Sequence, residues 1–117
     1  MKLKITITGP KVHDVGYKPF LILLAGEFEL DGIGVRDKEV GGEQAVRIKA
    51  EGDDEDVQEF DEAVRTQRPE GAIVSNVKSE PYDGRVPSIV RATIVNMNTQ
   101  LAKGIKRLDE SPVHKDL

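Results

Sequence analysis

The sequence predicts an α+β fold, a two-layer sandwich in which helices pack on one antiparallel sheet. Several short segments alternate apolar and polar residues, as strands with one buried face do. Two other segments are compatible with helices, and glycines and prolines separate the segments from one another. With 117 residues and no cysteine, the chain falls in the size range of one domain and has neither disulfides nor thiolate metal sites.

The N-terminal segment predicts a strand followed by a helix. Apolar and polar side chains alternate over residues 3–7, and Gly9-Pro10 ends this pattern. Pro19 suits the first turn of a helix, and the apolar residues 20–25 continue it. Strand one and helix one are therefore expected on either side of a loop.

A β-hairpin is predicted next. Ile33 and Val35 mark a short second strand, and residues 46–50 alternate apolar with basic side chains. Between them, Gly41-Gly42 supplies residues that readily take positive φ, as tight hairpin turns require.

The second helix begins after this hairpin. Asp53 or Asp54 can cap it, and acidic residues in its first turn complement the helix dipole. Val57, Phe60 and Val64 are spaced to share one buried face.

The C-terminal third predicts two further strands and a helical tail. Residues 72–78 read as a fourth strand, residues 81–87 as a loop and residues 89–95 as a fifth strand. Leu101, Ile105 and Leu108 then follow helical spacing, and disorder is expected after Ser111-Pro112. We predict a domain over residues 1–96 and a C-terminal helical extension with a disordered end over residues 97–117.

The order strand, helix, strand, strand, helix, strand is that of a ferredoxin-like sandwich (βαββαβ) with an antiparallel sheet, here with a C-terminal helical tail. This fold hosts many unrelated functions. Function must therefore be argued from the site.

Composition argues against several classes of protein. The formal net charge is −4 and aromatic residues make up 4% of the chain, so neither a basic patch for nucleic-acid phosphates nor a stacking platform for bases is expected. The N-terminal alternation is unlike a secretion signal, and the apolar run 20–25 is too short to span a bilayer. We expect a cytoplasmic protein that binds no nucleic acid and no membrane.

No metal or cofactor is predicted. His13 has no companions at metal-ligand spacing, and we expect it to have a structural or orienting role. Gly41-Gly42 lacks the surrounding pattern of a nucleotide-binding loop.

The loop between the first strand and first helix is the candidate site. Backbone N–H groups and the helix dipole converge at such a junction and favour an anion, and Lys18 adds a full positive charge. We expect a phosphate-binding loop formed by the segment Val12, His13, Asp14, Val15, Gly16, Tyr17 and Lys18.

This segment resembles the acylphosphatase signature Val-Gln-Gly-Val-x-Phe-Arg. The resemblance extends over roughly Lys2 to Val95, through the segments Phe20 to Leu30, Val35-Arg36-Asp37, Glu51-Gly52 and Ala72 to Lys78. The continuation Lys18-Pro19-Phe20 is also similar to the acylphosphatase-like domain that begins hydrogenase-maturation carbamoyltransferases.

The resemblance implies hydrolysis of the carboxyl-phosphate bond of acyl phosphates, with loop amides and an arginine holding the phosphate and an asparagine orienting water. Lys18 stands at the arginine position and Asp37 at the asparagine position, so these are the predicted catalytic residues. Lysine lacks the planar fork of arginine, and a carboxylate only accepts hydrogen bonds. Weak activity on a small acyl phosphate, or binding of the phosphate anion, is the expectation.

Two other readings stay open. The first is a non-catalytic phosphate-binding, ligand-binding or regulatory protein-interaction module on the same scaffold, in which Asp14 folds back onto the loop amides in place of phosphate. Tyr17 is then a core residue, as it is in the hydrolase reading. The second concerns the C-terminal helix, which could bind a protein partner or mediate self-association as well as pack on its own domain.

Overall fold

The computed structural model describes residues 1–98. Its elements are β1 (Lys2–Gly9), α1 (Tyr17–Glu27), β2 (Gly32–Val40), β3 (Glu43–Glu51), α2 (Asp54–Thr66) and β4 (Asn76–Pro81). A further helical segment, α3, covers 89–98. The α+β prediction and its βαββαβ order are confirmed.

The four strands form one antiparallel sheet in the order β2-β3-β1-β4. The β2–β3 hairpin turns at Gly41 and Gly42, whose φ angles are 58° and 82°. Positive φ at both turn residues matches the right-handed twist of the strands. The predicted hairpin is therefore present.

One face of the sheet and the two principal helices enclose the core. Alternation along β1 buries Ile5 and Ile7 completely, and Phe60 of α2 is also fully buried. Asp53 occupies the N-cap of α2 without a side-chain capping bond, and Asp54, Glu55 and Asp56 lie in the first turn. The acidic residues thus face the positive end of the helix dipole.

The opposite face of the sheet is partly crossed by the chain that follows β4. Lys2 Nζ of β1 donates to the carbonyl of Gly84 at 2.9 Å, and Lys49 Nζ of β3 lies 5.0 Å from the centre of the Tyr82 ring. Ile33 of β2 then donates its amide to the carbonyl of Pro87 at 3.0 Å. Residues 82–88 therefore run from one edge of the sheet to the other.

The predicted fifth strand at residues 89–95 is wrong, because this segment is helical. Ser88 Oγ accepts the amide of Arg91 at 3.1 Å, so a serine caps the helix start. The fourth strand is present, but it spans Asn76–Pro81, later than expected. Its first predicted residues instead form a bridge between Ile73 and Lys11.

The helical spacing at Leu101, Ile105 and Leu108 and the expected disorder after Ser111-Pro112 lie outside the described residues. In the part of the chain that is described, no helix is long and apolar enough to cross a membrane.

Candidate functional site

The loop between β1 and α1 presents a row of free backbone donors. Asp14 and Gly16 both have positive φ, 58° and 82°, and Gly16 is the N-cap of α1. The amides of residues 14–18 have no hydrogen-bond partner within residues 1–98. A helix N-terminus with unpaired amides attracts anions, so this part of the loop can receive a phosphate.

Two other loop amides are already occupied. Gln44 Oε1 of β3 accepts the amide of Val12 at 3.0 Å and that of His13 at 2.9 Å. The loop is thus capped by an amide side chain from the hairpin, and the alternative in which Asp14 fills this role does not apply to these two amides. Nothing in the sequence near the loop indicates Gln44, because it is more than thirty residues away.

His13 connects the loop to the hairpin. Its Nε2 donates to the carbonyl of Ala45 at 2.8 Å and lies 4.0 Å from Asp37 Oδ1. The ring is mostly buried and the Asp37 side chain is largely exposed. His13 therefore sits in an orienting position beside the predicted catalytic carboxylate.

Val12 and Tyr17 anchor the loop in the core. Their exposures are 1% and 4%, and the Tyr17 ring packs edge-to-face on Phe20 with centroids 6.1 Å apart. Burial raises the pKa of the Tyr17 hydroxyl, and the nearby Arg68 partly opposes this shift. Tyr17 thus serves packing, and Val15 also packs against the core.

Lys18 and Asp37 line one cavity of about 760 Å³ between α1, β2 and α3. Apolar contributions come from Ile22 and Val95, so the cavity has apolar walls beside its charges. Residues 12–17 are not among its described lining residues. We call this space the Lys18–Asp37 cavity.

Positive charge outweighs negative charge around this cavity. Its lining holds one carboxylate, Asp37, and five cations, namely Lys18, Arg36, Lys38, Arg85 and Arg91. The sequence patterns do not indicate Arg85 and Arg91 as site residues, because residues 81–87 read as a loop and residues 89–95 as a strand. The Ser88 cap was the available signal for α3.

Among residues 1–98, no group of three or more His, Asp or Glu side chains is arranged to hold a metal ion. The described side chains that line the Lys18–Asp37 cavity therefore form an anion site with one carboxylate acceptor.

A family model described as Acylphosphatase matches residues 3–88. Among solved structures, an acylphosphatase from Bacillus subtilis is 26% identical, with a TM-score of 0.56, over 75% of this chain and 94% of that one. An acylphosphatase from Coxiella burnetii is 20% identical, with a TM-score of 0.52, over 72% and 83% of the two chains.

Full-length HypF, in a phosphate- and nucleotide-bound form, is 23% identical with a TM-score of 0.61. The alignment covers 72% of this chain and 10% of the HypF chain. A comparison with curated protein sequences gives no match.

Proposed function

The chain belongs to the acylphosphatase family, and from this premise we propose that it slowly hydrolyses the carboxyl-phosphate bond of small acyl phosphates. The observation that carries the proposal is the placement of Lys18 and Asp37 on one cavity. Family and fold together support an acylphosphatase-like function.

Residue 18 belongs both to the lining of the Lys18–Asp37 cavity and to the row of free amides. In the proposed reaction, the phosphoryl group therefore lies beside Lys18, between its ammonium and the amides of residues 14–18. Water attacks phosphorus, the bond from phosphorus to the carboxyl oxygen breaks, and the carboxylate leaves with the bonding electrons. The proton released by water passes to the phosphate product or to solvent. Because a carboxylate is a good leaving group, positioning and charge stabilisation supply most of the catalysis.

Asp37 is the proposed water-orienting residue, since its carboxylate can accept a hydrogen bond from the attacking water. Its charge would repel a phosphate that lay nearby without compensation. The five cations around the cavity offset that repulsion. His13, 4.0 Å from Asp37 Oδ1, is a proposed positioning residue.

The test is steady-state hydrolysis of benzoyl phosphate by the full chain, its Lys18→Ala variant and a Lys78→Ala control. Lys78 is an exposed lysine of β4 outside the cavity. We expect the original chain to hydrolyse benzoyl phosphate and inorganic phosphate to inhibit this turnover. In Lys18→Ala, turnover should fall at least about a hundredfold, as for loss of a transition-state donor. Equal turnover in Lys18→Ala and in Lys78→Ala would exclude this site.

One observation favours a second candidate, a phosphate-binding or regulatory module without turnover. Gln44 Oε1 already binds two of the loop amides, and Asp37 cannot donate to a phosphoryl oxygen while ionised. Such a module would bind phosphate but would not hydrolyse benzoyl phosphate above background. Lys18→Ala would abolish the phosphate binding.

A further inference from the structure

A second charged surface lies on the sheet face that α1 and α2 leave open. Six cations and no carboxylate line a groove of about 600 Å³ there. We call it the basic groove, and its cations are Arg36 and Lys38 of β2, Arg47 and Lys49 of β3, and Arg85 and Arg91 from the segment after β4. Arg47 and Lys49 do not line the Lys18–Asp37 cavity.

The register of the sheet places like charges together in this groove. Arg36 lies directly opposite Arg47 across the β2–β3 pair, an arrangement that destabilises a sheet. Within residues 1–98, none of the six cations forms an ion pair with a carboxylate. The fold therefore retains an electrostatic cost that an anion would remove.

Arg47 also has an unused donor. Its Nε is buried and has no hydrogen-bond partner among the described residues. A buried donor without a partner costs free energy. Arg47 thus has hydrogen-bonding capacity that the described residues do not use.

Residues 99–117 do not have the net negative charge that would neutralise the basic groove, because they contain four Lys or Arg and three Asp or Glu residues. The groove is also too large and too rich in cations for one phosphate. A phosphate group carries about two negative charges at neutral pH, which leaves most of six positive charges unbalanced.

We propose that the basic groove is a second anion site that binds a compact oligophosphate, a small molecule with several linked phosphate groups. Its volume is that of a small-molecule site. Its lining has no aromatic side chain on which a base could stack, as single-stranded nucleic-acid sites require. The site is distinct from that of the proposed hydrolysis in Arg47 and Lys49, although the two spaces share four cations, namely Arg36, Lys38, Arg85 and Arg91.

Calorimetric titration of the full chain with inorganic triphosphate tests this site. We expect Arg47→Gln and Lys49→Gln each to weaken binding about tenfold or more, since each removes a charge-assisted contact. The matched control is Lys78→Gln, which removes a lysine from the same sheet face outside the groove. Lys78→Gln should change the affinity for triphosphate by no more than about twofold, because an exposed charge contributes little.

A second measurement guards against misfolded variants. Without ligand, Arg47→Gln should melt at the same temperature as the original chain or higher, because it removes the charge opposite Arg36. A clearly lower melting temperature would mean that Arg47 stabilises the sheet, and the repulsion argument would fail.

Two further results would overturn the proposal. Triphosphate binding that is lost in Lys18→Ala but kept in Arg47→Gln and Lys49→Gln would place the anion in the Lys18–Asp37 cavity. A single-stranded RNA that binds more tightly than triphosphate would make the occupant a nucleic acid. If benzoyl phosphate is not hydrolysed while triphosphate binds as expected, the proposed function fails and this site stands.

Discussion

Among single residues, Asp37 and Lys18 determine how fast the proposed reaction can run. Replacing Asp37 by asparagine restores a donor, and replacing Lys18 by arginine restores a planar fork for two phosphoryl oxygens. We expect the Asp37→Asn, Lys18→Arg double variant to raise kcat for benzoyl phosphate by about tenfold to a hundredfold. The matched control is Asp83→Asn with Lys78→Arg, two residues that do not line the cavity.

A double variant no faster than this control would mean that Asp37 does not orient water. It would also favour the binding module over the hydrolase.

Gln44 limits how many loop amides are free. Gln44→Ala leaves the amides of Val12 and His13 without their acceptor, which should lower the free energy of unfolding by about 1–3 kcal/mol. It also frees two donors for an anion, so inorganic phosphate should bind severalfold more tightly. Chemical denaturation and phosphate titration measure the two effects, with Gln58→Ala on the exposed side of α2 as the control. Unchanged phosphate affinity would place the anion away from these amides.

Tyr17 makes the stability of the fold sensitive to alkaline pH. Because burial raises its pKa in the folded state above the ordinary value of 10.0, its contribution is complete below pH 10 and is lost as the pH rises through the raised pKa. We expect Tyr17→Phe to lose less stability than the original chain above pH 10. Denaturation curves at several pH values measure this, with Tyr82→Phe as the control. If the free energies of unfolding of Tyr17→Phe and the original chain changed in parallel with pH, Tyr17 would not be the group responsible.

Among the elements, α3 shows where sequence patterns mislead. Residues 89–95 include five β-branched residues, and these favour strands when local preference alone is considered. In the structure, Ile89 and Ala92 pack against the core and Ser88 caps the helix, so tertiary packing overrides that preference. By contrast, β1, the hairpin and α2 follow patterns that their buried faces impose.

The crossing of residues 82–88 depends on a glycine in β2. A Cβ at Gly34 would lie 3.2 Å from Pro87 Cδ, so Gly34→Val should displace Pro87 and shift Arg85 and Arg91. We expect a loss of about 1–3 kcal/mol in unfolding free energy, as for overpacking, together with weaker phosphate binding. Gly26→Ala is the control, because a Cβ there meets open space. It should stabilise α1 by about 0.5–1 kcal/mol. If Gly34→Val bound phosphate as tightly as the original chain, residues 82–88 would not contribute to the phosphate site.

At the scale of the whole molecule, the fold was more predictable than the site. Strand and helix patterns arise locally, whereas the catalytic roles of Lys18 and Asp37 rest on the family resemblance and stay predictions. The cations of the basic groove come from the β2–β3 hairpin and from the distant segment after β4, and a net charge of −4 conceals them. Their grouping follows from the path of the chain over the sheet, which no local pattern encodes.

The boundary between a domain and a C-terminal extension remains a prediction. The described core cluster lies between Leu3 and Ala92, so a chain that ends after residue 98 should fold alone. We expect its melting temperature to stay within about 4 °C of the full chain, equivalent to less than about 1 kcal/mol. A loss of cooperative unfolding would show that residues 99–117 belong to the domain.

The path of the chain after β4 also bears on colloidal behaviour. Backbone bonds from Ile33 to Pro87 and from Ile89 to Asp31 cover one end of the β2 edge, and Arg36, Asp37, Lys38 and Glu39 occupy the rest of that strand. An edge that is covered or charged is a poor template for strand addition by another chain. The cations proposed to bind phosphate thus also oppose growth of the sheet into fibrils, so variants that neutralise them should be watched for slow aggregation.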